Sequence, residues 1–582
     1  MKSTPLFILI LFSAVAFSQV GIGTTTPNAS AALDITSTTT GVLVPRMTEA
    51  QRTAISSPAT GLLVYQIDNT AGFWFFDGSN WTSLSSGAEK INDLIDGKSD
   101  NDGSSIFLGI EAGENEDQND NQNIGIGYQA LSQTRNGSRN VAIGYQTLFQ
   151  GINGDDNIVI GNGALKENKS DSNIAIGSNA LTRLGSGIGN NIAIGTNALS
   201  SASSASKSIA IGTGSLENFG NPTDVIAIGY NSLHNNTFAD NMAIGSYSQE
   251  SNTTGVNNLS VGGSSLRMSV SEGWNTAIGM GSMELSTGSS SNTAVGYQSL
   301  RNITHSLGAT AVGYKALAEN TTGSSNTAIG NNALGQNTTG RYNSALGYSS
   351  LQNNTTGDNN IAIGLGALLQ NTSGDYNTAV GRSSCSIITD GSRNTAIGYN
   401  SGPNANLSNT ITIGYNAVSD ANNIARVGDA SITSIGGYAN WSNLSDGRFK
   451  KNIHENVVGL DFILKLRPVT YNLDMDAIAR FNNASENPWL SDAETQKASE
   501  VQIGFIAQEV EKTAQEISFD FHGVDKPKNE TSHYGLRYAE FVVPLVKAVQ
   551  EQQEVIELQK RKIDQLENRL ITIEALLTRL NK

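Results

Sequence analysis

Between residues 105 and 418 apolar and polar positions return on a fixed beat, Asn-x-Ala-Ile-Gly-x-x-Ala-Leu. With the Gly as marker the series runs Gly109, Gly127, Gly144, Gly161, Gly177 and onward to Gly398 and Gly414, and neighbouring markers stand 16 to 18 residues apart. A short, strict period predicts one coil of backbone per repeat, each stacked on the next. The residues three and one before the Gly (Val141 and Ile143, Ile192 and Ile194) alternate with Ala, which is the period of a strand. Leu four after the Gly (Leu131, Leu148, Leu165, Leu300, Leu317, Leu334) adds a second apolar position. The Asn four before it (Asn140, Asn157, Asn275, Asn292, Asn377, Asn394) and the Asn-Thr-Thr-Gly tracts from 319 to 357 read as turns. The pattern predicts a narrow β-solenoid of short strands, very roughly 90 Å long at a strand spacing of ~4.8 Å. So thin a coil leaves apolar surface open unless several chains pack together, and a trimer is expected.

The pattern changes at both ends. Lys2, an apolar run from Leu6 to Phe12 and small residues at Ala16 and Ser18 read as a secretory signal over 1–18. The run is too short for the ~20 residues of a membrane span. Residues 19–85, with short apolar runs closed by Gly, Pro and Asn, read as a small β module in which Trp74 and Trp81 flank an Asp-Gly turn. Residues 86–104 read as a linker and 419–444 as a neck. From Val549 to the end a heptad runs, with Val549, Ile556, Ile563, Leu570 and Leu577 at a and Gln552, Gln559, Leu566, Ile573 and Leu580 at d. Mixed Ile and Leu at these positions favour a three-stranded coiled coil over 549–582. The alternative is one amphipathic helix lying on its own domain.

Composition narrows the function. The 582 residues carry 52 Asp and Glu against 36 Lys and Arg, a net charge of −16, which argues against nucleic acid or an anionic membrane as the partner. Charged residues make up only 15%, and Gly numbers 61, as suits extended repetitive β structure better than an enzyme core. The single Cys, Cys385, excludes an internal disulfide framework; it falls at the Leu position of its coil and reads as a small buried hydrophobe. Nothing calls for a cofactor or a metal. Tyr follows the marker Gly at 128, 145, 230, 297, 314, 348, 399 and 415. Such a column would suit a surface glycan, or would stack coil on coil without any ligand. The acidic run from Glu111 to Asp120 reads as a solvated loop.

Three resemblances follow from these residues. The Asn-x-Ala-Ile-Gly coils over 105–418 resemble the head of YadA-type trimeric autotransporter adhesins, which implies a left-handed parallel β-roll in a trimer. The turns here are longer and the C-terminal barrel that anchors those adhesins is missing. Residues 19–85 resemble the N-terminal module of secreted tail-fibre-like proteins of the Bacteroidetes group. The third covers about 443 to the end: Ser445-Asp-x-Arg-x-Lys450-x-Asn-Ile, Gly459-Leu, Leu466-Arg-Pro-Val-Thr-Tyr471, Gly504-Phe-Ile-Ala-Gln-Glu-Val510, Tyr538 and Pro544-Leu-Val-Lys-Ala-Val549. This order is similar to the intramolecular chaperone of endosialidase-type phage tailspikes, a self-cleaving Ser-Lys peptidase.

Carried over, that resemblance implies Ser445 as nucleophile, Lys450 as general base and Leu444-Ser445 as the scissile bond, with Gln508 and Glu509 as candidates for support. Spacing alone would not pair Ser445 with Lys450, since residues five apart stand about 140° from each other on a helix. Asp446 reads as a cap, and Arg448 and Lys451 as cations near Lys450. The expectation is a mainly β fold: a long left-handed β-roll in a homotrimeric fibre, with an α+β chaperone over 445–582 that ends in a trimeric coiled coil. The protein would be secreted or held at a bacterial cell surface. A surface glycan or protein is the candidate ligand of the fibre. The rivals are an adhesin that keeps an inert C-terminal domain, and a glycan-degrading fibre, which lacks an evident set of placed carboxylates.

Overall fold

The computed structural model describes residues 19–84, 97–99, 103–116, 121–151, 153–184, 189–220, 223–439, 441–481, 492–530 and 532–581. The signal reading over 1–18 and most of the linker reading lie outside them. The chain divides into two units, Met1–Lys98 and Ser99–Lys582.

In the first unit Val20–Ile22 pairs in parallel with Leu33–Ile35, and a four-stranded sheet joins Arg46–Met47, Leu63–Gln66, Gly72–Phe76 and Trp81–Ser83. The helix Glu49–Thr53 starts on a capping box in which Thr48 and Gln51 satisfy each other's backbone N–H. It delivers Arg52, almost fully buried, onto the indole of Trp74 at 3.8 Å and beside that of Trp81 at 5.5 Å. Arg52 Nε donates to Gln66 Oε1 at 2.8 Å. The two Trp of the predicted hairpin thus pack around a cation.

The second unit opens with the solenoid. One three-residue strand per coil pairs in parallel and in register with its counterpart in the next, from Ile106–Leu108 to Ala425–Val427. One further strand lies beyond residue 418, closing a short final coil in which only 14 residues separate Gly414 from Gly428. In most strands the central residue is an Ala (Ala142, Ala193, Ala294) that points inward and is fully buried. Its flanking Ile and Val point outward and stay half-exposed, as at Ile361 and Ile363 (40 and 39% exposed).

The marker Gly is dictated by contact. Gly262 sits at φ +133°, and a Cβ there would lie 2.6 Å from the carbonyl oxygen of Gly279 one coil on. The inward Leu pays a conformational cost of its own: Leu148, Leu317 and Leu334 all adopt positive φ near 50°, which costs roughly 1–3 kcal/mol each and is offset by complete burial. Cys385 stands at this position with the same φ, buried, and burial pushes its thiol up to about 12.

The repeat Asn residues do more than form turns. Asn377 N–H donates to Asn360 Oδ1 at 2.9 Å, Asn394 N–H to Asn377 Oδ1 at 3.0 Å, and Asn377 Nδ2 to Gly391 O at 2.8 Å. A second ladder climbs through Asn320, Asn337, Asn354 and Asn371 at 2.7 to 2.8 Å. All are buried. The expectation of a wholly solvated acidic loop is corrected at Glu116, which is buried and accepts from Asn121 and Asn123 at 2.8 and 3.1 Å. Among the described residues the two apolar clusters of the interior part between Ala243 and Leu266. There Gln249 takes the Leu position and Ser260 the Ala position, and Gln249 Nε2 donates to Ser260 Oγ at 2.8 Å.

Tyr128 and Tyr145, Tyr297 and Tyr314, and Tyr399 and Tyr415 stack at 5.3 to 5.4 Å with ring planes 10 to 17° apart. Their faces are turned to one another along the stack, the arrangement that needs no ligand.

The C-terminal part is α+β. Two antiparallel pairs, Val469–Tyr471 with Gln502–Gly504 and Val524–Asp525 with Gly535–Leu536, surround a core of Phe462, Val510, Ala514, Val524 and Phe541. A long helix, Val542–Leu580, leaves it. Pro544 and Ala548 are buried at its start; beyond them Ile556, Ile563, Leu566, Leu570 and Ile573 are each about half exposed. No described element covers that stripe. Among the described residues no helix is long and apolar enough to cross a membrane.

The ladder sets an expectation for stability. Asn360→Ala strips the acceptor from the buried Asn377 N–H, while the Gly374 carbonyl, which also loses a donor, keeps Asn371 Nδ2 at 3.0 Å. One orphaned group at ~1–3 kcal/mol should lower unfolding free energy by about 1–3 kcal/mol in denaturant titration. Gln352→Ala on the same rod should stay within about 0.5 kcal/mol.

Candidate functional site

The segment from Ser445 to Lys450 is a single turn of 3-10 helix, Gly447–Phe449, between extended residues. Asp446 caps it: its Oδ1 accepts from Arg448 N–H at 2.9 Å. The same carboxylate takes the Arg448 guanidinium through Nη2 at 2.6 Å and Nε at 2.9 Å. Those bonds hold the Asp446 carboxyl below the usual carboxylate range. Arg448 is therefore neutralised by Asp446 rather than aimed at Lys450.

This turn reverses the chain and brings residues 445 and 450 together. Lys450 Nζ stands 2.9 Å from Ser445 Oγ and donates to it. The angular objection to the pair applied to an α-helix, and the local structure is not one. Both side chains are exposed. So are the apolar groups around them: Trp441 is 93% exposed, Leu444 81%, Ile453 75% and Phe449 68%.

Gln508 and Glu509 sit at the start of helix Ala507–Glu516. Glu509 accepts both branches of the Arg467 guanidinium, Nε at 2.9 Å, and that pairing pulls its carboxyl down. Gln508 is exposed. Among the described residues no hydrogen bond joins either of them to Ser445 or Lys450. Glu509 serves instead to tie Leu466-Arg467-Pro468 to the helix.

The remaining motif residues explain themselves by packing. Gly459 lies against the long helix, where a Cβ would come within 2.5 Å of Ala548 N, and Leu460 N–H is capped by Glu551 Oε2 at 2.7 Å. The Tyr538 hydroxyl accepts from Phe505 N–H at 3.1 Å and occupies the space into which a side chain at Gly504 would project. Glu551 was not singled out from sequence. It stands 91 residues from the backbone it caps, and no local pattern signals such a contact.

Residues 445–536 match the family described as the chaperone of endosialidase, and the match begins at Ser445 itself. Residues 21–101 match the phage tail like trimerisation region. The chain is built like a tail fibre with a C-terminal chaperone. The trimerisation region supports a homotrimer for this tail-fibre-like protein, and the exposed Ile and Val column of the roll offers three chains a continuous apolar face. No curated protein matches the chain.

The Gly504–Tyr538 contact yields a test of the chaperone core. Gly504→Ala should destabilise the C-terminal part by about 1–3 kcal/mol through overpacking. Adding Tyr538→Phe should recover part of that loss in a double-mutant cycle of unfolding free energies.

Proposed function

We propose that this chain is a secreted homotrimeric fibre whose C-terminal domain templates assembly and is then severed by one autoproteolytic cut at Leu444-Ser445. The observation that carries the reading is the 2.9 Å approach of Lys450 Nζ to Ser445 Oγ. A tail-fibre-like plan is that of an extracellular or surface protein, and removal of residues 1–18 on export belongs to the proposal.

The chemistry balances without a cofactor. Ser445 Oγ attacks the carbonyl carbon of Leu444 while Lys450, in its neutral form, takes the hydroxyl proton. The Leu444–Ser445 C–N bond breaks as the Ser445 nitrogen takes up a proton, leaving Leu444 as an ester on Ser445 Oγ. Water hydrolyses the ester, freeing a Leu444 carboxylate and a C-terminal piece that starts with Ser445. Each chain performs this once.

Two features order assembly before the cut. Parallel strands with near-identical neighbours are rich in alternative registers and slow to pair, so a C-terminal clamp that sets three chains in phase is useful only while it is attached. Burial of Trp441, Leu444, Phe449 and Ile453 between chains would also exclude water from the dyad, and a dry site favours the uncharged amine that a base requires. The Ile and Val column of the roll and the Ile563/Leu566 stripe of the long helix are the surfaces through which the three chains would meet.

The exposure of Lys450, which donates to Ser445 as the structure stands, favours one other reading: a fibre that keeps its C-terminal domain, with the pair inert. A single full-length band on a denaturing gel would decide for it.

Mass analysis of the expressed protein should find a fragment spanning Ser445–Lys582. Ser445→Ala and Lys450→Ala should each abolish the fragment and leave the trimer intact; a fragment that persists in Ser445→Ala removes the peptidase assignment. Ile363→Asp with Ile397→Asp should cut the yield of soluble trimer in sedimentation analysis, because charges placed in a dry seam go unpaired.

A further inference from the structure

The C-terminal domain does more than follow the roll: it grips its end. The roll stops at Ala425–Val427, and no coil follows to offer donors to the carbonyls beyond it. Lys497, on helix Asp492–Ser499, supplies them. Its Nζ donates to Ala430 O at 2.7 Å and to Ile432 O at 2.6 Å. From a different element Asn529 Nδ2 donates to Asp420 O at 2.8 Å. His533 Nδ1 stands 4.0 Å from Asp420 Oδ2, a buried carboxylate that Arg426 Nη2 holds from the roll side at 3.2 Å. The ring of Phe481 meets that of His533 edge-on at 6.3 Å and closes a groove formed by Ser386, Pro403 and Val418 of the last coils.

None of these contacts involves residues 433–444 of the connection. Residues 433–439 and 441–444 are exposed, and a Cβ on Gly436 would meet nothing within 4 Å. The grip and the covalent link are therefore separable. A solenoid needs a cap at its open end, because an uncovered terminal coil presents unpaired backbone to other chains. Here the cap is supplied by side-chain donors of the very domain that the proposed cut detaches.

We propose that Lys497, Asn529 and His533 form a docking surface for the last coil of the roll, and that the C-terminal fragment stays bound there as a noncovalent cap after the chain is cut. The cap contact itself stands on the geometry; only the natural origin of the cut rests on the Ser445 reading.

The test separates the two. The full-length protein is purified and run on a sizing column under native conditions beside a denaturing gel. A second preparation carries Ser445→Ala and a protease recognition sequence inserted between Gly436 and Gly437, and is cut by that protease. In either preparation the fragment and the rod should co-elute while separating on the denaturing gel. Lys497→Ala with Asn529→Ala should weaken the association roughly tenfold or more, so that the fragment elutes alone at low micromolar concentration. An uncut wild type with a co-eluting engineered fragment would sink the peptidase reading and leave the cap standing. A fragment that elutes alone without any substitution overturns the cap. So does one that stays bound in the double variant, provided amide exchange shows Asp420 to Val427 as protected as in wild type. Loss of that protection in the double variant supports it.

Discussion

A coil of about 17 residues is too thin to hold water, so each polar backbone group that turns inward must find its partner in the coil above or below. The Asn ladders meet that demand. One side-chain amide accepts from the backbone of the next coil and donates to a carbonyl 14 residues on, as Asn343, Asn360 and Asn377 do in turn. The rest of the coil depends on this. With Asn filling two corners, most of the remaining interior positions are taken by Ala and by Leu in a left-handed bend, and the Ile and Val that flank the inward Ala are turned outward. The roll thus carries polar corners around an apolar centre and an apolar column on its exterior, and that column is the surface it offers to other chains.

The same division shapes the C-terminal domain. Its compact aromatic core around Phe462, Phe521 and Phe541 is complete within one chain, while the Ser445–Lys450 turn and the stripe of the long helix are not. What is finished in one chain is the scaffold. What is left open is the candidate chemistry and the surface through which chains would count one another, so that reactive geometry and assembly sit on the same exposed ground.

The coil was legible in the sequence because one contact, the Gly-to-Gly approach between coils, repeats without exception and forces the same residue each time. The burial of Cys385 followed from the same beat. The inward role of Asn was missed because an Asn in a turn and an Asn in a ladder carry the same neighbours in sequence; only the coil above distinguishes them. Glu116 was misjudged for a like reason: its partners Asn121 and Asn123 belong to the next turn of backbone. The meeting of Ser445 with Lys450 came from the order of motifs across the domain. Helical geometry argued against it, since nothing local announces that Asp446 and Arg448 would tighten the segment into a 3-10 turn. Glu509 and Arg467, distant in sequence, paired with each other for reasons of packing that no motif records.

The ladder bonds between coils run along the stack, not across it. A load applied to the two ends of one roll therefore pulls on one coil's bonds at a time. Each coil that peels away exchanges ~4.8 Å of stack for about 55 Å of extended chain. Under tension such a roll yields in small, even steps and dissipates work at each of them, so that length, rather than strength, is what it gives up first.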